Sequence, residues 1–195
     1  MRIPSKVPRS LTFLLAMTLL VGVAYPALVT GIAQLVFPKQ ANGSLLAQGG
    51  KVRGSSLLAQ KFESPIFFRA RPSATDYAYI GAGASNLGPT SAAIAKAVAE
   101  RRASWEAAYG TSAPEEMLYA SASGLDPDIG LGAALSQVES VAKSRGLSAG
   151  AGLELGQAIR DMAAASKGLI GPPRVNVVVL NALLENDKRF AAQRR

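Results

Sequence analysis

The feature that most constrains this chain is an uncharged, strongly apolar run from Leu11 to Phe37. At about 1.5 Å of rise per residue, a helix of that length reaches roughly 40 Å, which exceeds the hydrocarbon core of about 30 Å. Three cations, Arg2, Lys6 and Arg9, precede the run. The sequence therefore predicts one membrane-spanning helix followed by a single domain outside the bilayer.

A secretory signal peptide is the competing interpretation, because the run is N-terminal and follows a basic stretch. The run is about twice as long as the roughly 7–15 apolar residues of a signal peptide, and no clear Ala-x-Ala cleavage site follows it. These features favour an uncleaved anchor. The predicted organisation is a short N-terminus over 1–9, a transmembrane helix over 10–37 and one domain over 38–195.

The orientation of the span rests on a small difference in charge. Lys39, Lys51 and Arg53 follow the span and nearly balance the three cations before it. The N-terminal cations are denser and have no acid among them, and long domains translocate largely regardless of their charge. We therefore predict that the N-terminus is cytoplasmic and that the domain is extracytoplasmic.

Proline and small residues in the run suggest contact with another helix. Pro26 removes one backbone donor, and its ring presses on the carbonyl of Gly22, where a kink costs little. Small residues let a neighbouring helix approach closely. They are Ala16, Gly22, Ala24, Ala27 and Gly31. A plain lipid anchor is the alternative, although it needs neither the proline nor the glycines.

The chain contains no cysteine and no histidine. Disulfides and thiolate metal sites are therefore excluded, and the usual general base and commonest metal ligand are missing. This rules out a Ser-His-Asp triad, a Cys-His pair and zinc hydrolysis. We predict no metal site, no directly bound cofactor and no catalytic residues.

One pattern still allows an enzyme. Ser140 and Lys143 form an S-x-x-K on a predicted helix, where the lysine lies one turn from the serine and could activate its hydroxyl without histidine. The K-T-G and S-D-N motifs that accompany this pattern in penicillin-binding proteins are missing, and the domain is too small for that fold. A membrane-anchored Ser-Lys acyl enzyme is the alternative function.

The net charge of +8 includes a concentrated basic stretch over 51–71. Glu63 is its single acid, and its cations are Lys51, Arg53, Lys61, Arg69 and Arg71. Nucleic acid is one partner for such a patch, but aromatic interleaving is thin and an outer domain rarely meets nucleic acid. Lipid headgroups, an acidic protein partner and a solvated basic face remain open, and we predict no nucleic-acid partner.

The pattern beyond the span predicts an α+β domain, because helices and strands do not alternate regularly. A loop over 39–50 and a long irregular stretch over 64–89 are expected. The predicted strands cover 52–62, 117–120 and 175–180. The predicted helices run from Thr90 or Ser91 to Tyr109, from Leu131 to a stop at Gly146, through Leu155, Ile159 and Met162, and over 182–193.

Several motifs, in order along nearly the whole chain, resemble one family: the C subunit of the Kdp potassium-transporting P-type ATPase of bacteria and archaea. The matching segments are Tyr25-Pro26, Gln40-Ala41-Asn42-Gly43-Ser44-Leu45, Val52-Arg53-Gly54-Ser55, Arg71-Pro72-Ser73-Ala74-Thr75, Ala84-Ser85-Asn86-Leu87-Gly88-Pro89-Thr90, Ser121-Ala122-Ser123-Gly124-Leu125-Asp126-Pro127-Asp128-Ile129, Gln137, Arg145-Gly146, Val175-Asn176-Val177 and Leu180-Asn181.

The resemblance implies a non-catalytic subunit of a high-affinity potassium uptake complex in the bacterial inner membrane. In such complexes a channel-like subunit carries K⁺, a P-type ATPase subunit binds ATP and magnesium, and a very small accessory subunit assists. The C subunit has one transmembrane helix and an extracytoplasmic domain, and it assembles or stabilises the complex. Its expected partners are these three subunits and the lipid bilayer.

The family has also been proposed to act as a catalytic chaperone that raises the ATP affinity of the hydrolytic subunit. The glutamine of a Q-x-x-R stretch is implicated, and it corresponds here to Gln137. This chain departs from the pattern, because Ser140 stands at the arginine position.

The Gly22–Pro26 pair and the irregular segment over 64–90, which needs a surface to hold it, lead to a further expectation. The span packs on the channel-like subunit, and the domain lies over its outer mouth. The expected packing residues of the span are Gly22, Tyr25 and Pro26. The candidate docking residues are Asn42, Gly43, Arg53, Arg71, Pro72, Ser73, Asn86, Asp126 and Asn176.

Overall fold

The computed structural model describes residues 8–48, 50–168 and 171–192. The chain divides into two compact units, Met1–Leu45 and Leu46–Arg195, and each is described by itself. Mixed helices and strands follow an N-terminal apolar helix, so the predicted fold class is confirmed. The domain boundaries and the side of the membrane on which each part lies stay predictions.

The first unit is dominated by one continuous helical stretch of 28 residues, Arg9–Val36. It consists of α1 (Arg9–Leu19), a π-helical turn (Leu20–Ala24) and α2 (Tyr25–Val36). Its most apolar window is entirely unburied within the protein, which suits a helix that meets lipid or another protein.

The π turn lies directly before Pro26. The N–H of Tyr25 donates to the carbonyl of Leu20, five residues back, and Pro26 has no N–H to continue the ladder. A local widening of this kind relieves the clash between the proline ring and the preceding turn. The irregularity falls where the Gly22–Pro26 pair predicts one.

The predicted loop over 39–50 is wrong in two places. Pro38–Ala41 forms the short helix α3, and Leu45–Gln48 forms strand β1. Strand β1 pairs with β2 (Lys51–Ser55) in a two-stranded sheet. The predicted strand over 52–62 therefore ends at Ser55. The backbone beyond Ser55 turns away, and the N–H of Ala59 donates to the carbonyl of Leu125 at 2.9 Å.

The rest of the second unit is helical around one small sheet. Its elements are α4 (Ala92–Tyr109), a 3₁₀ turn (Glu115–Met117), β3 (Asp128–Gly130), α5 (Leu131–Leu135), α6 (Val138–Arg145), α7 (Ala149–Ala165), β4 (Arg174–Asn176), α8 (Val177–Asn186) and a second 3₁₀ turn (Lys188–Phe190). Strands β3 and β4 are antiparallel, with Ile129 opposite Val175. The predicted strand over 117–120 is wrong, because a 3₁₀ turn ends there.

Helix α7 forms the middle of the core. Leu155 and Ile159 are buried on one face, as their spacing predicts, and Ala163 continues that face. Met162, the third residue of the predicted pattern, is half-buried. This face packs against α5, α6 and β4. Ser148 caps the helix by accepting a hydrogen bond from the N–H of Ala151 at 3.2 Å.

Helix α8 replaces most of the strand predicted over 175–180. The side chain of Asn176 accepts a hydrogen bond from the N–H of Val179, which caps a helix at this point. Val177, Leu180 and Leu184 have no exposed surface and follow helical spacing. Burial of this face thus overrides the β-propensity of the valines. The helix ends at Asn186, so the predicted helix over 182–193 is too long, and Gln193 lies outside the described residues.

Of the other two helix predictions, one is confirmed and one joined two separate helices. Helix α4 is confirmed, with Ser91 before it and Gly110 in the left-handed conformation after it (φ 66°). The single helix predicted from Leu131 is instead two, α5 and α6. The break falls at Ser136 and Gln137, where the side chain of Gln137 turns away to bond a neighbouring segment.

Candidate functional site

Two side-chain amides hold residues 66–69, which we call the strap. Asn181 of α8 bonds both backbone groups of Phe68: its Oδ1 accepts from the N–H, and its Nδ2 donates to the carbonyl, each at 2.9 Å. Gln137 bonds the N–H and carbonyl of Arg69 in the same way, at 2.8 and 3.1 Å. Each amide replaces a neighbouring strand, because it offers one acceptor and one donor as a peptide group does.

The amide nitrogen and oxygen of Gln137 each make a second hydrogen bond. Its Nε2 donates to the carbonyl of Ala133 at 3.2 Å, and its Oε1 accepts from the hydroxyl of Tyr109 at 3.3 Å. The residue has 0% of its surface exposed. Its side chain is therefore fully bonded inside the domain.

A buried cation completes the attachment of the strap. Arg145 donates from Nη1 to the carbonyl of Ile66 at 2.9 Å, from Nη2 to Leu184 at 2.7 Å and from Nε to Phe190 at 2.8 Å. Only 3% of its surface is exposed. Burial lowers the pKa of the guanidinium, which nevertheless stays charged because arginine does not lose its proton in proteins. The strap, the end of α8 and the last 3₁₀ turn are thus joined through one side chain.

Four of the predicted docking residues come together just after the strap. Arg71 and Asp126 form a half-buried ion pair, with Nη1 3.5 Å from Oδ2. The carbonyl of Pro72 accepts from the N–H of Ser121 at 3.0 Å. Together with Ser73, these residues join the 71–75 motif to the 121–129 motif within the domain. We call Arg71, Pro72, Ser73 and Asp126 the motif cluster.

Ser73 organises a tight turn in the cluster. Its Oγ accepts hydrogen bonds from the N–H of Thr75 at 3.2 Å and of Tyr77 at 2.9 Å. Gly124 lies against this turn with φ 71°, and a Cβ there would meet the carbonyl of Gly83 and the Oγ1 of Thr75, both at 2.9 Å. A glycine is required at 124 both by its backbone conformation and by this close approach.

The other predicted docking residues of the second unit lie outside the cluster, although Asn176 pairs with Asp128, two positions from Asp126. Asn176 caps α8 and donates from Nδ2 to the carbonyl of Ser56 at 2.8 Å. Arg53 is exposed on β2. Asn86 is exposed and takes a positive φ of 54°, which asparagine tolerates better than most residues.

The remaining sequence-predicted residues belong to the first unit. Asn42 donates to the carbonyl of Pro38 at 2.7 Å and to Gln34 Oε1 at 3.0 Å, and Gly43 follows with φ 80°. These bonds end the long helix with a compact turn. The predicted packing residues Gly22, Tyr25 and Pro26 are all exposed.

Comparison with known proteins decides the family. The family model for KdpC, the K⁺-transporting ATPase c chain, matches residues 7–186. The chain is 46% identical over 176 residues to the potassium-transporting ATPase KdpC subunit of Cereibacter sphaeroides (strain KD131), covering 90% of this chain and 94% of that protein. The KdpC subunits of Rhodospirillum rubrum and Pseudomonas aeruginosa (strain PAO1) are each 45% identical, over 93% and 92% of this chain and 94% and 96% of theirs.

The chain belongs to the KdpC family. The resemblance drawn from its motifs is thereby confirmed, and the chain is a KdpC-type subunit of a K⁺-transporting ATPase. Gln137, for which the resemblance implied a nucleotide-related role, has its amide buried and bonded to the strap. A nucleotide-related role for this residue stays a prediction.

The S-x-x-K pattern takes up another arrangement than the acyl-enzyme alternative needs. The hydroxyl of Ser140 donates to the carbonyl of Ala108 at 3.1 Å. Within 8–48, 50–168 and 171–192, no hydrogen bond joins it to Lys143, which is exposed. A serine held as a donor to a backbone carbonyl is not presented to a base as a nucleophile.

Sequence reasoning did not single out Arg145 and Asn181 as architectural residues. A signal was present, because each is a polar residue at a position where helical spacing expects an apolar one. Asn181 follows the buried Val177 by four residues, and Arg145 follows the buried Val141 by four. A polar residue in a buried register must find hydrogen-bond partners, which here are backbone groups of the strap and its neighbours.

No group of three or more acidic or metal-binding side chains is placed to hold a metal ion in the part of the chain that the structure describes. The strap and the motif cluster are fixed in shape by hydrogen bonds within the domain.

Proposed function

We propose that this chain is the accessory subunit that assembles and stabilises a potassium uptake complex in the bacterial inner membrane. Its partners are a channel-like potassium-binding subunit, a P-type ATPase subunit that binds ATP and magnesium, and a small accessory subunit. One span anchors it with the N-terminus in the cytoplasm. The domain lies on the outer side of the membrane, over the outer mouth of the channel-like subunit.

The observation that carries this proposal is the unburied apolar helix with a π turn before Pro26. Lipid alone places no demand on such an irregularity, whereas small residues beside it let another helix approach closely. A Cβ at Gly22 would meet only Thr18 Cγ2 at 3.9 Å, and one at Gly31 would meet nothing within 4 Å. The chain itself therefore requires neither glycine. Gly22 lies within the π turn, and we infer that a neighbouring helix sets the requirement for a small residue there.

The structure of the strap narrows the surface on which the domain could dock. A long irregular stretch over 64–89 suggested that a partner holds it in place. Residues 66–69 are instead held by Gln137, Asn181 and Arg145 of the same domain. We therefore place the partner contact on the part of this stretch that remains exposed, which includes Tyr79 and Ile80 with 76% and 80% of their surfaces free.

A chaperone effect on ATP affinity, if the chain exerts one, would act through the complex rather than by direct contact. Gln137 is buried and bonded, and we place the domain across the membrane from cytoplasmic ATP. Coupling would then pass through the span to the transmembrane helices of the ATPase subunit. Such coupling requires that the transmembrane helices of the ATPase subunit have two arrangements and that the span stabilises one of them more than the other.

Substitution of the two glycines tests the assembly role. We expect Gly22→Leu to lower the yield of the co-purified complex several-fold, because the larger side chain overpacks a contact with a partner helix. The tagged full-length chain would be purified in mild detergent from membranes of potassium-limited cells. Gly31→Leu is the matched control, since it adds the same side chain on a different face of the same helix.

The outcomes separate the proposed contact from general damage. Equal yields for the wild type and both variants would exclude packing at Gly22. Equal losses for both variants would show that added bulk anywhere on the helix disturbs the complex, which would contradict a contact specific to Gly22. Recovery of the unmodified chain alone, without a P-type ATPase and a channel-like protein, would overturn the assembly role itself.

The ion pair between Arg71 and Asp126 joins two motifs of the same domain. Arg71→Glu removes an intramolecular contact with Asp126, so a transport defect would not by itself identify a partner. Normal transport in that variant would show that the pair serves the domain alone.

A further inference from the structure

A cleft of about 560 Å³ lies between the strap region and α4, and no part of the function above uses it. Its walls include the rings of Phe62, Tyr77 and Trp105, with Met117 from the first 3₁₀ turn. Aromatic rings and a methionine form an adaptable apolar surface. A bound segment would therefore bury apolar as well as polar groups here.

Two arginines line the cleft without an acidic partner. Arg69 and Arg101 are both half-buried, and neither lies within 4.0 Å of a carboxylate in the part of the chain that the structure describes. Arg101 Nη1 donates to the carbonyl of Leu118 at 2.7 Å, which fixes its position. The guanidinium of Arg69 lies 6.0 Å from the ring centroid of Tyr109. Each guanidinium has five N–H donors, most of which remain available.

Two lysines lie against the three acids in and beside the cleft. Lys61 lies 3.1 Å from Glu63 and 2.9 Å from Asp76, and Lys96 lies 3.9 Å from Glu100. With Arg69 and Arg101 included, the charges of these residues sum to +1, so the excess charge at the cleft is positive.

The cations of the cleft also act on the phenol of Tyr77. Burial, the largest effect, raises the pKa of its phenol, and Asp76 raises it further. The positive charges of Arg69, Lys61 and Arg101 all act in the opposite direction. The cations thus act on the same part of the cleft. The indole N–H of Trp105 is buried there, and no hydrogen-bond acceptor for it lies among the described residues.

We propose that this cleft receives an acidic segment of a partner subunit, with its carboxylates bound by Arg69 and Arg101 and an apolar neighbour against Trp105 and Met117. The inference rests on the proposed assembly function and names the chemistry of one contact within it. A small inorganic anion would use the arginines and leave the apolar wall empty. Guanidinium groups match carboxylates in geometry and charge, which favours an acidic peptide.

Photo-crosslinking in the intact complex tests the proposal. A photoreactive amino acid would replace Ser104, which is exposed and lines the cleft. The full chain would be expressed with its partner subunits, irradiated in native membranes and purified. Mass spectrometry of the adduct should identify a partner segment rich in Asp and Glu. The same probe at Ser144, exposed on α6, is the control position.

Charge variants then test whether Arg101 and Arg69 bind the acidic segment. We expect Arg101→Glu to lower the adduct yield about tenfold, since a like charge now faces the acidic segment. Arg102→Glu is the matched control, because Arg102 is exposed on the same helix and does not line the cleft. Arg69→Gln is a second variant that leaves the backbone bonds from Arg69 to Gln137 in place. Reversing the acids of the mapped segment to lysine should restore the adduct in Arg101→Glu.

Each result decides something. An adduct with lipid, an adduct with a segment that lacks acids, or no adduct in a complex that still co-purifies would overturn the cleft proposal and leave the assembly role standing. Equal effects of Arg101→Glu and Arg102→Glu would also overturn it, since a general charge effect would then explain both. If the chain recovers no partner subunit at all, the assembly role fails and the cleft proposal fails with it.

Discussion

Two neighbouring parts of one irregular stretch differ sharply in how they are held. Backbone groups of residues 66–77 are hydrogen-bonded to the side chains of Asn181, Gln137, Arg145 and Ser73. Residues 79–89 are exposed apart from Gly83 and Ala84, and they include two positive φ values, at Gly81 and Asn86. The second part is also richer in glycine, with Gly81, Gly83 and Gly88, whereas residues 66–77 contain none.

The difference shows where irregular backbone obtains its hydrogen bonds. A buried segment outside a sheet must still satisfy its N–H and C=O groups, and here side-chain amides and a guanidinium supply the partners. An exposed segment can bond to water and keeps its apolar side chains available. The backbone of the first part is therefore held within the domain, while its Arg69 and Tyr77 side chains line the proposed cleft. The second part is a separate candidate for contact with another protein.

The largest loss of stability should follow removal of the Asn181 amide, which holds the backbone of Phe68. We expect Asn181→Ala to lower the free energy of unfolding by about 2–4 kcal/mol, because it leaves a buried N–H and carbonyl without partners. Urea unfolding of the full-length chain in detergent, followed by Trp105 fluorescence, measures the change. Asn186→Ala on the exposed end of the same helix should stay within about 0.5 kcal/mol. Similar losses for both variants would refute a special role for Asn181.

Replacing Gln137 tests whether this residue serves the fold or the nucleotide. We expect Gln137→Leu to destabilise the chain by about 1–3 kcal/mol, less than Asn181→Ala, because Arg69 is only partly buried and water can reach its freed groups. ATP affinity of the purified complex, measured by the KM for ATP hydrolysis at a temperature where the variant stays folded, should remain unchanged. A raised KM with unchanged stability would instead support the nucleotide-related role.

Much of the architecture follows from sequence patterns whose physical cause is local. Helices α4 and α7 were predicted because their apolar residues recur at helical spacing and a small or polar residue marks an end. The irregular helix before Pro26 follows from proline chemistry. These features depend on residues within a few positions of one another, so a sequence displays them directly.

Other features depend on contacts between distant segments. The valines after Asn176 favour a strand by themselves, and burial of Val177, Leu180 and Leu184 makes them a helix. The break at Gln137 exists because its side chain bonds Arg69, 68 positions away in sequence. The cleft of Arg69 and Arg101 also joins two elements whose proximity no local pattern reveals. Motif resemblance identified the family, but it could not distinguish residues that hold the domain together from residues that face a partner.

A substitution in the exposed part, residues 79–89, should have the smallest effect on stability. It also tests most directly whether this part contacts a partner. We expect Ile80→Ser to change the free energy of unfolding by no more than about 0.5 kcal/mol, because the side chain is 80% exposed and contributes little to the core. If residues 79–89 contact a partner, the same variant should lower the yield of co-purified complex several-fold. Leu153→Ser is the matched control, since Leu153 is 78% exposed on α7. A loss of complex in both variants, or in neither, would mean that exposed apolar residues of this stretch carry no special contact, and the strap and the exposed segment would then differ in structure alone.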